Sequence, residues 1–303
     1  MIQWKGVFPA LTTKFKDNLQ LDIPAFQKNL EAQIGAGIDG VIVGGSLGEA
    51  STITHEEKME LLKAALDTAK GRIPILVNIA ERSTAAAVKI AEDAQAGGAQ
   101  GLMALPPMQY KATDAEVVRY FQDIARSTDL PILIYNNPVD YKIEVTLDMF
   151  ETLLKEKNIQ AVKESTRDIS NVSRIISRFG DRLKVLCGVD TLAMEELVMG
   201  ADGWVAGLVC AFPRETVAVY RLTKAGRLDE AREIYRWFMP ILELDISPQL
   251  VQNIKLAEVM TGLGTETVRP PRMPLAGTER ERVLNILKKG LAVRPVLPDY
   301  LNA

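Results

Sequence analysis

The chain has 303 residues, of which 47% are hydrophobic and 25% are charged, and its net charge at pH 7 is -3. This composition is typical of a soluble globular protein, and it provides no basic surface for nucleic acid. No apolar run approaches the roughly 18 residues that would span a bilayer, and residues 1–5 lack the apolar region of a signal peptide. We therefore expect a cytoplasmic protein without nucleic acid or membrane partners.

Short β-rich apolar runs alternate with amphipathic helical stretches along most of the chain. The eight predicted strands are residues 6–13, 40–45, 74–80, 101–106, 131–135, 159–163, 184–189 and 203–209. The predicted helices between them are residues 23–35, 55–70, 84–96, 114–127, 147–154, 170–179 and 191–199. This alternation, together with the count of eight, predicts a closed (β/α)8 TIM barrel.

The pattern changes after the eighth strand. Residues 214–225, 228–241, 250–261 and 279–292 have helical spacing of apolar residues, with no strand between them. We therefore predict a barrel over residues 1–226 and a C-terminal helical domain over residues 227–303.

The few cysteines and histidines limit the available chemistry. Cys187 lies near the end of a predicted strand and Cys210 lies just after one, which favours small core residues over a disulfide or a metal pair. Because His55 is the only histidine, a histidine-based triad is nearly excluded and a zinc site would need an unusual ligand set. We expect neither a metal nor a flavin.

Two residues at the ends of neighbouring strands point to covalent catalysis. Lys163 ends the sixth strand and Tyr135 ends the fifth, so both are expected at the carboxyl end of the barrel, where active sites of this fold lie. A lysine that loses solvation there favours its neutral amine, which attacks carbonyl carbon. Lys163 is therefore the candidate Schiff-base residue, and Tyr135 is the candidate for proton transfer. The alternatives are an ordinary ion pair at Lys163 and a phenol of Tyr135 that faces solvent.

The second strand ends in a glycine-rich turn that contains Gly45, Ser46 and Leu47. Glycine lets the backbone approach a ligand, and the amides of such a turn can face an anion. We expect a substrate carboxylate to bind here, although a simple tight turn would have the same composition.

Together, these segments resemble the dihydrodipicolinate synthase and N-acetylneuraminate lyase superfamily over essentially the whole chain. The resemblance rests on residues 45–49 (GSLGE), 135–138 (YNNP), 163–165 (KES) and 200–203 (GADG). It implies a TIM barrel with a C-terminal helical domain, usually a homotetramer, in which the matching lysine, Lys163, forms an imine with a 2-keto acid. No cofactor is implied beyond that lysine.

Three departures from the synthase pattern shift the expected activity. Synthases usually have a second hydroxyl residue where this chain has Leu47, and a tyrosine of the neighbouring subunit where it has Met108. They also have an arginine shortly after the tyrosine–asparagine motif, where this chain has Asp140, which would repel a substrate carboxylate. Synthase activity is therefore disfavoured, and neuraminate lyase activity is disfavoured for the same reasons at Leu47 and Met108.

Other segments resemble the 1-pyrroline-4-hydroxy-2-carboxylate deaminases of hydroxyproline breakdown. They are residues 105–111 (LPPMQYK), 201–208 (ADGWVAGL) and 268–271 (VRPP). The leading prediction is thus a deaminase that converts this cyclic imine acid to 2,5-dioxopentanoate and ammonia through Lys163. The main alternative is an aldolase or dehydratase on a 2-keto-3-deoxy sugar acid, and a non-catalytic ligand-binding barrel is a third.

The remaining candidates are secondary. Asp190 and Gly207 are predicted to contribute to substrate binding, although Asp190 also suits a helix cap at the end of a strand. Arg167 and Glu49 are expected to be structural ion-pair or capping groups. The predicted assembly is a homotetramer or dimer, and the predicted substrate is a small 2-oxo acid or a cyclic imine acid.

Overall fold

The computed structural model describes residues 2–107 and 110–302. Eight parallel strands form a sheet in the order β1-β8-β7-β6-β5-β4-β3-β2. A parallel bridge between Ala10 and Ile42 brings the two edge strands together, so the sheet is a nearly closed barrel. The strands are β1 Gly6–Pro9, β2 Val41–Val43, β3 Ile75–Ile79, β4 Gly101–Ala104, β5 Ile132–Asn136, β6 Ile159–Glu164, β7 Lys184–Cys187 and β8 Gly203–Ala206.

Helices surround the barrel and continue after it. They are α1 Ile23–Gly35, α2 His55–Ala69, α3 Thr84–Ala96, α4 Asp114–Arg126, α5 Pro138–Tyr141, α6 Leu147–Leu153, α7 Ser170–Phe179, α8 Ala193–Val198, α9 Pro213–Lys224, α10 Leu228–Leu242, α11 Leu250–Met260 and α12 Gly277–Ala292. The predicted (β/α)8 TIM barrel is confirmed. The helix α5 was not predicted, and β1 and β8 end earlier than predicted because the chain leaves the sheet there to form the loops of the carboxyl end.

The barrel strands are buried nearly throughout. Every residue of β1 to β5 and of β8 is buried, as the interior and the helical layer cover the two faces of a parallel sheet. Cys187 and Cys210 are both buried and free, as expected of core residues. No helix of the described residues is long and apolar enough to cross a membrane.

Two buried ion pairs join the C-terminal helix α11 to the barrel loops. Lys255 of α11 lies 2.5 Å from Glu49, which follows β2, and both side chains are fully buried. Glu258, one turn later, lies 2.7 Å from Lys14, which follows β1. The C-terminal helices therefore pack against the carboxyl end of the barrel. The proposed division between residues 226 and 227 stays a prediction.

Candidate active site

Lys163 lies at the carboxyl end of β6 with only 7% of its surface exposed. Its Nζ is 4.0 Å from the centroid of the Tyr135 ring. Burial lowers the pKa of Lys163, and the acidic groups nearby, with Tyr141 and Asp245 foremost, oppose that effect. A lysine in this setting holds a larger share of neutral amine than one in water, as a nucleophile toward a carbonyl requires.

Tyr135 faces Lys163 because the two residues are register partners on the adjacent strands β5 and β6. The Tyr135 hydroxyl accepts a hydrogen bond from Asn137 Nδ2 at 3.1 Å. Burial raises the pKa of Tyr135 to about 12, and the bond from Asn137 acts in the opposite direction. The phenol therefore keeps its proton at neutral pH and can donate it. The structure brings the two predicted residues together.

The short helix α5 supplies a second phenol that sequence reasoning missed. Asn137 caps this helix by accepting the amide of Asp140 at 3.1 Å, and Pro138 occupies its first turn. Tyr141, its last residue, packs edge-on against Tyr135 with ring centroids 5.4 Å apart. Its hydroxyl lies 2.7 Å from Ser46 Oγ. The cap followed by proline was the available signal, since this pair is common at helix starts.

The turn after β2 lies across the barrel from Lys163, because three strands lie between β2 and β6 in either direction around the barrel. Gly45, Ser46 and Leu47 all line the cavity that contains Lys163. Within the described residues, the amides of Ser46 and Leu47 donate no hydrogen bond. Two free amides at this position suit an anion such as a carboxylate. Binding of a substrate carboxylate by this turn stays a prediction.

The cavity itself is small, with a volume of about 90 Å³. Its floor and walls come from the strand ends, and Asp245 and Ile246 enter from the loop after α10. A wider groove of about 650 Å³ lies at the amino ends of the strands, beside Lys5, Asp39 and Arg72. We assign the site to the smaller cavity because barrel enzymes place their chemistry at the carboxyl ends of the strands.

Asp245 is the other residue that sequence reasoning missed. Its carboxylate approaches Gly207 so closely that a Cβ on Gly207 would lie 2.7 Å from Asp245 Oδ1. Burial and the charge of Asp190 raise the pKa of Asp245, whereas the charge of Lys163 lowers it. Gly207 thus lines the cavity, and its missing side chain leaves room for this carboxylate. Its role in substrate binding stays a prediction.

Gly188, after β7, has a similar steric role beside the lysine. A Cβ at Gly188 would lie 2.1 Å from Ser165 Oγ and 2.7 Å from Lys163 Cγ. The hydroxyl of Ser165 is buried and has no hydrogen-bond partner among the described residues. The lysine side chain therefore occupies space that any residue other than glycine would fill.

Asp190 does not contact the cavity, and the predicted role in substrate binding is replaced by a structural one. Its buried carboxylate accepts hydrogen bonds from Trp204 Nε1 at 2.9 Å and from the amides of Gly207 and Leu208. These donors occupy both oxygens, so Asp190 holds the turn after β8, close to the capping role that was the alternative. Glu49 is likewise structural, through its ion pair with Lys255.

Two charged residues lie at the mouth of the cavity. Asp140 accepts a hydrogen bond from Asn137 at 2.8 Å, and Arg167 lies 3.9 Å from Asp140. Arg167 was expected to be structural, but it lines the cavity, and its backbone has the left-handed φ of 65°.

Met108, on which one predicted departure rested, lies outside the described residues. Among the described residues, no group of three or more acidic, histidine or cysteine side chains could hold a metal ion.

Comparison with known proteins places the chain in a family. The sequence model of the dihydrodipicolinate synthetase family matches residues 3–290. The chain belongs to this family. A 4-hydroxy-tetrahydrodipicolinate synthase of Exiguobacterium sibiricum is 32% identical over 272 residues, which are 90% of this chain and 92% of the relative.

Solved structures of the family share the fold closely. The dihydrodipicolinate synthase of Aquifex aeolicus has a TM-score of 0.90 at 29% identity, over 94% of this chain and 97% of that one. The chloride-inhibited synthase of Acinetobacter baumannii, solved with pyruvate, has a TM-score of 0.91 at 25% identity, over 95% and 99% of the two chains. The predicted superfamily is confirmed, and the chain is a lyase-type enzyme of the dihydrodipicolinate synthase family.

The predicted function is wrong at the finer level. The sequence favoured a pyrroline-carboxylate deaminase and ranked synthase activity low, yet the relatives that match across nearly the whole chain are named synthases. The ranking relied on a missing hydroxyl at Leu47, a missing tyrosine at Met108, which lies outside the described residues, and a missing arginine near Asp140. Tyr141 and Arg167 place a hydroxyl and a guanidinium in the same cavity from other positions, so neither the absence at Leu47 nor that near Asp140 decides the reaction.

Proposed function

We propose that this enzyme forms a Schiff base between Lys163 and pyruvate and condenses it with an amino aldehyde, the reaction of a 4-hydroxy-tetrahydrodipicolinate synthase. The observation that carries the proposal is the buried Lys163 amine, 4.0 Å from the Tyr135 ring centroid at the base of a small cavity. The names of the relatives and the pyruvate in one solved structure support the choice of reaction. No cofactor beyond Lys163 is part of the proposal.

In the first step, the neutral amine of Lys163 attacks C2 of pyruvate. The C2 oxygen leaves as water after it receives protons, for which Tyr135 is the nearest phenol. The pyruvate carboxylate would lie on the amides of Ser46 and Leu47, across the barrel from the lysine. The product of this step is an imine, and loss of a proton from C3 converts it to an enamine.

In the second step, the enamine carbon attacks the aldehyde. The new C–C bond leaves an alkoxide, which takes a proton from the hydrogen-bonded hydroxyl pair of Tyr141 and Ser46. The hydroxyl pair would provide the relay that Leu47 cannot. Arg167 would bind the carboxylate of the second substrate, since guanidinium matches carboxylate geometry.

The third step releases the enzyme. The amino group of the condensed product attacks C2, closes the ring and expels the Lys163 amine. One water is lost overall, at imine formation. The product, 4-hydroxy-tetrahydrodipicolinate, contains the new C–C bond and the ring C=N bond that join the two substrates. Tracing these two bonds back identifies the substrates as pyruvate and aspartate 4-semialdehyde, which are therefore the substrates to test.

The test is product formation from pyruvate and aspartate 4-semialdehyde, followed by mass spectrometry. Wild type should give the cyclic product, and Lys163→Ala should give none above the uncatalysed level. A folded wild type that forms no product from these substrates would refute the synthase assignment, whatever its reaction with pyruvate alone. Whether the enzyme is a homotetramer or a dimer stays a prediction from the family resemblance.

A further inference from the structure

We propose that Asp245 binds the ammonium group of the second substrate, and so selects amino aldehydes over aldehydes that lack the amine. The inference rests on the proposed function and deepens it. Asp245 belongs to the segment after α10, outside the eight strands, and it lines the same cavity as Lys163.

The carboxylate of Asp245 is available to a ligand. Within the described residues, it accepts no hydrogen bond and lies within 4 Å of no cationic side-chain nitrogen, although it is half-buried. Its position is fixed on one side by close contact with Gly207. A carboxylate that faces a cavity without a partner is costly unless an incoming group supplies one.

The other acids of this region are already occupied. Asp190 accepts bonds from one indole and two backbone amides behind the cavity wall. Asp140 is held by Asn137 at 2.8 Å and lies near Arg167. Among the described cavity residues, Asp245 is the acid whose oxygens remain free for a ligand.

Charge complementarity identifies the ligand as a cation. Pyruvate has a carboxylate and a carbonyl but no cationic group, so the negative charge of Asp245 would not stabilise its binding. The ammonium of an amino aldehyde offers three donors, and a charge-assisted bond to a carboxylate is stronger than a neutral one. With the aldehyde's carboxylate on Arg167 and its ammonium on Asp245, the second substrate would be bound as a zwitterion.

The placement also suits the ring-closing step. The amine must lose a proton before it can attack C2 on Lys163. The pKa of Asp245 is raised by burial, so its carboxylate is a better proton acceptor than one in water. Asp245 would therefore hold the amine near the reacting carbon and accept its proton.

The test compares two ligands that differ only in the amino group. L-Homoserine and 4-hydroxybutyrate are titrated by calorimetry into wild type, Asp245→Asn and Asp245→Ala, each with saturating pyruvate. Glu243→Gln is the matched control, since it removes one negative charge from the same segment at an exposed position outside the cavity. Thermal denaturation of each variant verifies folding.

Wild type and Glu243→Gln should bind L-homoserine at least fivefold more tightly than 4-hydroxybutyrate. Both Asp245 variants should lose this preference through weaker binding of L-homoserine alone. A preference that survives in the folded variants, or no preference in wild type, would overturn the inference. Because the titration needs no turnover, a failed condensation assay would refute the synthase proposal while leaving this result interpretable.

Discussion

At the scale of single residues, Lys163 and Tyr135 were predictable and Tyr141 was not. Lys163 and Tyr135 end consecutive apolar runs, and parallel strands in a barrel bring such ends side by side. Tyr141 reaches the site only because a four-residue helix, capped by Asn137, turns the chain back toward Ser46. A helix that short has almost no periodicity to detect, so only its cap and its proline were readable.

Replacing Tyr141 with phenylalanine should slow the condensation without preventing imine formation. The variant keeps the ring contact with Tyr135 and loses the hydroxyl that lies 2.7 Å from Ser46. We expect kcat to fall by roughly 10²-fold, in the range of a lost acid–base group, while borohydride trapping of pyruvate stays within a few-fold of wild type. Steady-state kinetics and trapping measure the two effects.

Tyr120→Phe is the matched control for that experiment. The Tyr120 hydroxyl is buried and has no partner among the described residues, and Tyr120 does not line the cavity. Its removal should leave kcat unchanged. An equal loss of kcat in both variants would mean that the Tyr141 effect reflects packing rather than proton transfer.

Gly188 is a residue whose role follows from close approach alone. A Cβ in Gly188→Ala would lie 2.7 Å and 2.8 Å from Lys163 Cγ and Cε, so the lysine must move. We expect at least a tenfold slower rate of pyruvate trapping, because a displacement of about 1 Å can cost 10²-fold in a positioned reaction. The rate is measured by mass spectrometry of the borohydride-reduced protein.

Gly35→Ala, where a Cβ meets nothing within 4 Å, is the control for that substitution. It should trap pyruvate at the wild-type rate. Wild-type trapping by Gly188→Ala would show that Lys163 does not depend on the space at Gly188.

At the scale of elements, the buried carboxyl of Glu196 on α8 is expected to make the stability of the folded protein depend on pH. One of its oxygens has no hydrogen-bond partner among the described residues, and Cys187 and Glu164 are its charged or polar neighbours. Burial raises the pKa of Glu196 to about 8, from 4.5 for a glutamate in water. The folded protein therefore holds a proton here that the unfolded chain releases.

The sign of the pH effect follows from that difference. A group with a raised folded-state pKa contributes most to stability below its unfolded pKa, and that contribution is lost as the pH rises toward the folded value. The window is thus from about 4.5 to about 8. Glu196→Gln, which needs no proton, should be more stable than wild type by roughly 1–3 kcal/mol at pH 8 and should lose most of that advantage at pH 4.5.

Chemical denaturation at the two pH values measures this effect. Glu195→Gln is the control, since Glu195 precedes it on α8 and is exposed; its stability should follow wild type at both values. An advantage of Glu196→Gln that does not change with pH would refute the buried-proton account.

At the scale of the whole molecule, most of the fold could be predicted from the sequence. Alternating apolar runs and amphipathic stretches identify eight strand–helix units because a parallel sheet buries its strands and exposes one face of each helix. The C-terminal helices were predicted as elements, but their arrangement was not. Asp245 reaches the cavity through the packing of α10 and α11 over the barrel, and long-range packing of this kind has no local sequence signature.

The function was only partly predictable for a related reason. Lys163 at the end of β6 indicates the superfamily, whereas the substrate depends on which side chains line the cavity around this lysine. The sequence prediction gave weight to Leu47 and Asp140, whereas the positions of Tyr141 and Arg167 at the same cavity are visible only in three dimensions. Reading the departures one position at a time led to the wrong reaction.

Reductive trapping of pyruvate tests the central claim most directly. Lys14, Lys58 and Lys255 are at least as deeply buried as Lys163, but each forms an ion pair with a carboxylate. Among the described residues that line the cavity, Lys163 is the one that offers an amine. Wild type treated with pyruvate and borohydride should gain the mass of one reduced adduct, on the peptide that contains Lys163, and Lys163→Ala should gain none. No adduct on folded wild type, or an adduct on another lysine, would contradict the account.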